Sequence, residues 1–243
     1  MNQVVGDLHI HTLASGHAYS TVWEIAQVAK KEKMEIIGIS DHGPSMPGAP
    51  QAMYFEARGH FPREIEGIKM FMGAEVDIVD KEGKLDLPDR VLKKLDYAIV
   101  SFHPQVFLGL SLEENTEILL RVLDHPWVEI VAHLGNPKYP IDYQAVVKKA
   151  VACGKLIEIN NSSFSISRRG SAENCQQIAL AMKAEGGKLM VTSDAHYCGE
   201  VGNYEDALDM LREIQFPEER IINLSREKLE DFLQQSINRR RQR

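Results

Sequence analysis

The stretch Asp7-Leu8-His9-Ile10-His11 decides how the rest of the chain is interpreted. It ends an apolar run that begins at Val4, and such a run predicts a buried strand. In a strand, residues two apart point to the same face, so Asp7, His9 and His11 project together. Two neutral imidazoles on one face can chelate a divalent ion such as Zn, Mn or Fe. A single His-x-His motif is weak evidence alone, because it also occurs in ordinary cores.

Six further apolar runs follow, separated by amphipathic segments that predict helices. Because the runs are almost continuously apolar, they predict a parallel sheet covered by helices. Seven strand–helix units in one alternating series favour a closed or nearly closed α/β barrel over an open sheet. The predicted strands are Val4–Ile10, Ile36–Ser40, Met70–Val76, Tyr97–Phe102, Val128–His133, Leu156–Asn160 and Lys188–Ser193.

The helical segments have recognisable boundaries. Capping-box patterns at Thr21–Glu24 and Ser111–Glu114 predict two helix starts. Ser225–Ile237 predicts a final helix packed on the outside. Gly43–Phe61 predicts a long loop at the mouth of a site, since such loops follow strand ends. No linker divides the chain, so residues 1–243 are expected to form a single domain.

Ligand-type side chains recur where the predicted strands end. Active sites of α/β barrels lie at the carboxyl ends of the strands, so these side chains should meet there. Two ions normally use six or seven protein ligands, and nine candidates indicate a cluster of three. The nine are His9, His11, His17, His42, Glu75, His103, His133, Asp194 and His196.

Three other polar groups are candidates for supporting or catalytic roles. Asp7 and Asp41 are expected to accept the far N–H of a ligating imidazole, which fixes its tautomer. Arg168 is a candidate for bidentate phosphate recognition, with a solvated basic loop as the alternative. Asp7 and Arg168 are therefore the predicted catalytic residues. Asn161 and Ser162 either orient the substrate or make ordinary strand-end hydrogen bonds. Structural roles are predicted for His125 and Cys198, and His60 is predicted to be an exposed loop histidine, with a general acid or a phosphate contact as the alternative.

Composition limits the partners and the compartment. A net charge of −7 argues against a general nucleic-acid-binding face. The basic run Arg239–Arg243 is expected to be a solvated or frayed tail. Three cysteines without a Cys-x-x-Cys pair favour a reducing cytoplasm. No segment resembles a signal peptide or approaches the roughly 18 apolar residues of a membrane span, so a cytoplasmic protein is predicted.

On these residues the chain resembles the PHP (polymerase and histidinol phosphatase) family, and most of all its YcdX-type phosphatases. The resemblance covers residues 4–213. Its matching segments are Asp7–His11, Ser40–His42, Gly73–Glu75, Ser101–His103, Ala132–His133, Glu158–Phe164, Ser167–Ser171 and Ser193–His196.

The resemblance implies a distorted (β/α)7 barrel, similar to a TIM barrel, that holds three metal ions per chain. The ions are usually Zn2+, with Mn2+ or Fe2+ as alternatives because selection among them depends on supply. The resemblance also suggests a homotrimer. Its implied ligand sets are His9, His11, Glu75 and Asp194 for the first ion, Glu75, His103 and His133 for the second, and His17, His42 and His196 for the third.

The charge of such a site favours a phosphorylated substrate. Two carboxylates carry −2 and three divalent ions would add +6, which leaves +4 before substrate enters. This excess suits a phosphate dianion and a hydroxide better than a neutral amide. We expect a metal-bridging water, with its pKa lowered toward about 7, to attack phosphorus in line. The sequence thus predicts a hydrolase for a small phosphomonoester.

Three other functions stay open at this stage. A phosphodiesterase or exonuclease is the nearest, because PHP domains also accompany DNA polymerases, but no basic groove with interleaved aromatic residues is present. A binuclear amidohydrolase would need a bridging carboxylated lysine, and no lysine ends a predicted strand near the site. A non-catalytic metal-binding domain would have no need of all nine ligands.

Overall fold

Short strands buried on both faces form the centre of the fold. The computed structural model describes residues 3–165 and 168–242, so Ser167 of the basic motif lies outside the described residues. The strands are β1 (Gly6–Asp7), β2 (Ile36–Ile39), β3 (Glu64–Ile65), β4 (Ile68–Met72), β5 (Glu75–Asp77), β6 (Ile99–Ser101), β7 (Ile130–Val131), β8 (Leu156–Asn160) and β9 (Leu189–Thr192).

Helices alternate with most of these strands, as the amphipathic segments predict. Side-chain capping boxes start α1 at Thr21 and α4 at Ser111, at the predicted positions. The helices are α1 (Val22–Lys31), α2 (Ala52–Glu56), α3 (Asp89–Leu92), α4 (Leu112–Val122), α5 (Tyr143–Ala152), α6 (Ser171–Ala184), α7 (Glu205–Glu213) and α8 (Arg226–Gln242). None of the helices in the described part of the chain combines the length and apolar character of a membrane span.

The strands form two sheets with the orders β1-β2-β4-β3 and β5-β6-β7-β8-β9. All pairs are parallel except β3 with β4. Isolated parallel bridges join the two sheets, between Ile10 and Ala195 and between His42 and Glu75. The strand order is therefore that of a distorted (β/α)7 barrel, as predicted.

The predicted third strand, Met70–Val76, is divided into β4 and β5. The break falls at Gly73, where an added Cβ would overlap the ring of Tyr97. Tyr97 is fully buried, and its hydroxyl donates to the carbonyl oxygen of Leu8 at 2.6 Å. Gly38 in β2 makes room for the same phenol group. The tyrosine thus fills the barrel interior, and the two glycines accommodate it.

A separate apolar cluster occupies the inside of the barrel. Most parallel strands contribute one buried side chain to it, from the strand or a residue beside it, for example Ile36, Ile99 and Met190. The neighbouring Ile37 and Val100 belong instead to the cluster that packs against the helices outside. Leu229 and Leu233 of α8 belong to the inner cluster. Helix α8 therefore closes the amino-terminal end of the barrel, which leaves the carboxyl end for the site.

The prediction of a solvated or frayed basic tail is wrong for Arg240. The α8 helix continues beyond Ile237, and Arg240 is only 6% exposed. Its Nη1 and Nη2 donate to the two carboxylate oxygens of Glu129 at 2.6 and 2.7 Å, and Nη2 also donates to the carbonyl of Trp127. This buried bidentate pair offsets the cost of removing the guanidinium from water.

Candidate metal centre

Glu75, at the start of β5, lies at the centre of the histidine cluster. Its Oε1 lies 2.9 Å from Nε2 of His133 and 3.6 Å from Nε2 of His103. Its Oε2 lies 3.3 Å from Nε2 of His9 and 2.9 Å from Nδ1 of His42. The carboxylate is 1% exposed. Side chains that follow four different strands thus converge on one buried carboxylate.

Asp194 faces the same centre from the end of β9. Its Oδ1 lies 3.1 Å from Nε2 of His11 and 3.5 Å from Nε2 of His9. Nδ1 of His196 is 3.6 Å from that oxygen. The other oxygen, Oδ2, accepts from Nη2 of Arg168 at 2.6 Å. Asp194 therefore joins the histidines of the first strand to the one arginine predicted to bind phosphate.

His17, His42 and His196 form the outer part of the cluster. The Nε2 atoms of His17 and His196 lie 3.1 Å apart. The ring of His17 lies 4.9 Å from that of His42, centroid to centroid. His17 is exposed, whereas His42 is buried. All nine predicted ligand-type side chains are thus brought together, from a buried centre to an exposed rim.

The interpretation of Asp7 as an acceptor from a ligating imidazole is wrong. Its Oδ2 accepts from the Ser193 backbone at 2.9 Å, the Ser193 hydroxyl at 2.6 Å and the Tyr204 hydroxyl at 2.9 Å. Its Oδ1 accepts from the backbone N–H of His9. Asp7 is fully buried, and burial raises its pKa to about 6. It joins the ends of β1 and β9 and has no surface to offer a substrate.

Asp41 is likewise occupied by other donors. It accepts from the backbone and hydroxyl of Thr12, from Ser15 Oγ at 2.7 Å and from the hydroxyl of Tyr54 at 2.7 Å. Ser15 Oγ in turn lies 3.0 Å from Nδ1 of His11. The predicted contact with a ligating imidazole is therefore indirect, because loop hydroxyl and N–H groups reach the carboxylate first.

Two carboxylates that the sequence reasoning missed contact the histidines directly. Oε1 of Glu158 lies 2.5 Å from Nδ1 of His9, and Oδ1 of Asp77 lies 2.8 Å from Nδ1 of His103. Both carboxylates belong to strands, and both are buried. An acidic residue within an apolar strand was the available clue, since it needs a partner when buried.

Burial and local charge set the protonation of the cluster. Burial lowers the pKa of His103 and of His133 to about 4, so both imidazoles are neutral at pH 7. Burial also lowers the pKa of His11, with the neighbouring His42 acting in the same direction. Although burial raises the pKa of Glu75, the imidazoles around it, led by His103, hold that pKa well below its usual value. Neutral imidazoles and an ionised carboxylate are the forms that bind metal ions. Burial acts to lower the pKa of His9 and of His42, but the carboxylates around them outweigh burial and raise it, so metal ions would compete with protons at these two rings.

Several inward-facing atoms of the cluster lack a hydrogen-bond partner among the described residues. Buried polar atoms are rarely left in this state, because desolvation without a partner is costly. Three sets of ligand atoms also lie within 4.8 Å of one another, as expected of a metal site. The donor set therefore fits divalent cations. Neighbouring nitrogen and oxygen atoms of the unpartnered set lie 2.9–3.5 Å apart but form no hydrogen bond; the set is Nε2 of His9 and His11, Nδ1 of His42, Oε2 of Glu75 and Oδ1 of Asp194.

A cavity of about 570 Å³ opens above the outer histidines. Arg168 lines it, and Nη1 of that side chain is buried without a partner within the described chain. Met46 from the predicted mouth loop also lines the cavity. The loop itself contains the short helix α2 and a 3-10 turn at Ala57–His60.

The remaining candidates divide between the cavity and the scaffold. Ser162 lines the cavity, and its hydroxyl donates to the carbonyl of Ser193. Asn161 bonds to Asn203 and to the backbone of α7, so its role is structural. His60 is exposed and outside the cavity lining, whereas His125 lies near Asp89. Cys198 is half-buried against the core, as predicted.

Comparison with known proteins gives one family. The family model described as the PHP domain matches residues 7–215. A probable phosphatase of Caldanaerobacter subterraneus subsp. tengcongensis is 45% identical over 98% of this chain and 94% of its own length. A probable phosphatase of Clostridium botulinum is 44% identical over 93% of each chain.

A solved structure has a similar fold. The histidinol phosphate phosphatase of Lactococcus lactis subsp. lactis, complexed with Zn, L-histidinol and phosphate, matches with a TM-score of 0.63. The match covers 88% of this chain and 95% of that one, at 15% sequence identity. At this identity the likeness shows the fold alone.

Proposed function

The chain belongs to the PHP domain family, and we propose that it is a metal-dependent phosphatase of small phosphomonoesters. The observation that carries the proposal is the set of unpartnered, buried ligand atoms below a cavity lined by Arg168. Relatives named probable phosphatases and a zinc-containing phosphatase of the same fold support it.

We propose three ions per chain, with Zn2+ as the first candidate. Four buried side chains at the centre of the cluster would hold the first ion. Glu75 would be shared with the second ion, and the three outer histidines would hold the third. The convergence of two neutral imidazoles on Oε1 of Glu75 supports the second set. The proposed sets are His9, His11, Glu75 and Asp194, then Glu75, His103 and His133, then His17, His42 and His196.

When bound, the ions would supply an activated water and positive charge for the phosphate group. The chain's own residues would position the substrate. Arg168 is already held by Asp194 through Nη2, which leaves Nη1 free to donate to a phosphate oxygen. A guanidinium fixed in this way donates to a phosphate oxygen at little entropic cost. Arg168 would therefore orient the phosphate above the histidines.

Carboxylates outside the ligand set would fix the orientation of the imidazole rings. Glu158 fixes His9, and Asp77 fixes His103, each through the ring nitrogen that faces away from Glu75. The ionised carboxylate of Glu158 only accepts, so Nδ1 of His9 carries the hydrogen and Nε2 is the atom left for a metal ion. Burial raises the pKa of Asp77 well above its usual value, and a metal ion on Nε2 of His103 would favour the form with the hydrogen on Nδ1. Asp7 would hold the ends of β1 and β9 at the spacing that the site requires.

The test combines metal analysis with phosphate release. We expect purified protein to contain three ions per chain by mass spectrometry and to release phosphate from some members of a phosphomonoester panel. The panel also includes single-stranded DNA. His9→Ala and Asp194→Ala should lose metal and fall to background activity, whereas His125→Ala, outside the cluster, should keep both. Full activity in His9→Ala, or release from DNA alone, would reject the proposal.

Three further properties stay predictions: a single domain over residues 1–243, a cytoplasmic location and a homotrimer. Size-exclusion chromatography with light scattering would measure the assembly. A monomer at micromolar concentration would contradict the predicted trimer, without bearing on the chemistry.

A further inference from the structure

We propose that the substrate of this phosphatase carries a second anionic group, which Lys138 and Arg169 bind at the mouth of the cavity. The inference rests on the proposed function, in which the phosphate lies over the histidine cluster beside Arg168. It adds the class of the leaving group: an alcohol that bears a carboxylate or another phosphate.

Lys138 and Arg169 lie on loops that follow neighbouring parallel strands, β7 and β8. The two loops are in contact: a Cβ on Gly170 would lie 3.5 Å from Cγ of Pro137. Nδ2 of Asn174 also donates to the carbonyl of Gly135 at 2.9 Å, which ties the first loop to α6. Both cations and Arg168 line the same cavity. They therefore form one basic wall.

Two of the three positive charges of this wall have no oppositely charged partner among the described residues. Lys138 and Arg169 are exposed, and neither forms a salt bridge with any residue that the structure describes. Arg168, by contrast, is paired with Asp194. Apart from the proposed ligand Asp194, the described lining includes the carboxylate of Glu200. This carboxylate accepts from the backbone N–H of His196 at 3.0 Å. The mouth thus has a surplus of positive charge.

The rest of the cavity favours a polar leaving group of moderate size. Its volume, about 570 Å³, is in the range of sites that bind whole small molecules rather than a phosphate ion alone. Among the described residues, the lining includes the amides of Gln105 and Asn136, and its apolar part comes from Met46 and two prolines. These residues offer no aromatic platform other than imidazole. An extended anion is better matched to this lining than a flat aromatic ring.

The proposal separates this chain from its relative in Lactococcus lactis, which is complexed with L-histidinol. The amino group of that alcohol is cationic at neutral pH. Next to Lys138 and Arg169 such a group would meet like charges. We therefore expect phosphomonoesters with cationic leaving groups to be poor substrates here.

Matched substrate pairs test the proposal on the metal-loaded protein. One pair is 3-phosphoglycerate and glycerol 3-phosphate; the other is 6-phosphogluconate and glucitol 6-phosphate. Within each pair only a carboxylate replaces a hydroxymethyl group. O-phosphoethanolamine represents a cationic leaving group. We expect kcat/KM to favour the anionic member of at least one pair by about fivefold, mainly through KM, and to be lowest for the cationic substrate.

The variants distinguish charge recognition from a structural role. The double variant Lys138→Ala/Arg169→Ala should bring the ratio of kcat/KM between the anionic and the neutral member of a pair close to one. In the wild type, 0.5 M KCl should have the same effect because exposed charges are screened. Lys138→Arg should keep the preference. Lys188→Ala, an exposed lysine before β9 at the far end of the barrel, is the control and should not change the ratio.

The outcomes separate the two proposals. Phosphate release without preference for the anionic members, or with preference for O-phosphoethanolamine, would overturn this inference and leave the proposed function standing. A preference that survives the double substitution would also overturn it. Absence of phosphate release from every ester, with three ions bound, would overturn both.

Discussion

Nδ1 of His9 lies 2.5 Å from Oε1 of Glu158, and both side chains are fully buried. The same carboxylate accepts from the hydroxyl of Thr192 at 2.6 Å and, through Oε2, from the backbone N–H of His133 at 2.9 Å. One acidic side chain in β8 therefore fixes groups that follow β1 and β7 and a group in β9. Burial acts to raise the pKa of Glu158, but its interactions with His9 outweigh burial and lower that pKa, so the carboxylate is ionised.

Glu158→Gln should weaken metal binding with little change in the fold. The amide keeps the size of the side chain but loses the negative charge that orients His9. Loss of such a supporting acceptor typically costs 10–100-fold in metal affinity. Competition titration with a chromophoric chelator measures it, with Glu227→Gln on the surface of α8 as the control. Equal affinities in the two variants would show that Glu158 does not position His9.

Removal of metal should lower the thermal stability as well as the activity. The unpartnered atoms of His9, His11 and Glu75 would face one another without a cation between them. Ions that bind only the folded state at 100 times their dissociation constant add about 2.7 kcal/mol. We expect the melting temperature after chelation to fall and to rise again as Zn2+ is titrated. A melting temperature independent of the ion would contradict the metal centre.

Asp86 should make the stability depend on pH. Burial, helped by the nearby Asp77, raises the pKa of Asp86 to about 7. Because this is above the unfolded value, the stabilising contribution of the protonated form is complete below about pH 4 and is lost as pH rises through 7. The stability of the wild type relative to Asp86→Asn should therefore fall between pH 4 and 8. Urea unfolding at several pH values measures it, and a constant or growing difference would be the opposite result.

Arg240→Ala should destabilise the protein substantially. It would leave Glu129 buried with part of its charge uncompensated, a change that typically costs about 3–5 kcal/mol. Arg239 also contacts Glu129, at 3.2 Å, and would reduce the loss to the lower part of that range. Arg241→Ala, at an exposed position of the same helix, should change the free energy of unfolding by less than about 0.5 kcal/mol. Similar midpoints in denaturant for both variants would show that the Glu129 pair is not needed.

The sequence could predict the positions of the ligand-type side chains because two local rules apply to them. Alternation along a strand puts His9 and His11 on one face, and parallel strands deliver their carboxyl ends to one place. Both rules need only the order of residues, so the barrel and the convergence of the nine side chains follow from them. The same rules identify Arg168 as a residue near the site.

The partners of buried acids could not be predicted in this way. Asp7 and Asp41 are bound by hydroxyl and N–H groups of other segments, whereas Glu158 and Asp77 contact the histidines. Which acid meets which donor depends on the three-dimensional packing of strands far apart in sequence. Arg240 gives the same lesson, since a run of arginines is normally solvated, and its acceptor Glu129 lies before β7.

The closure of the barrel by Leu229, Leu233 and Tyr97 has a kinetic consequence. Below the histidine cluster the described residues fill the interior with apolar side chains, so a ligand of the cluster would enter and leave through the cavity that Lys138 and Arg169 line. In the proposed reaction, inorganic phosphate would be the deeper product and would leave after the alcohol. Such ordered release makes phosphate a competitive inhibitor and the alcohol a noncompetitive one.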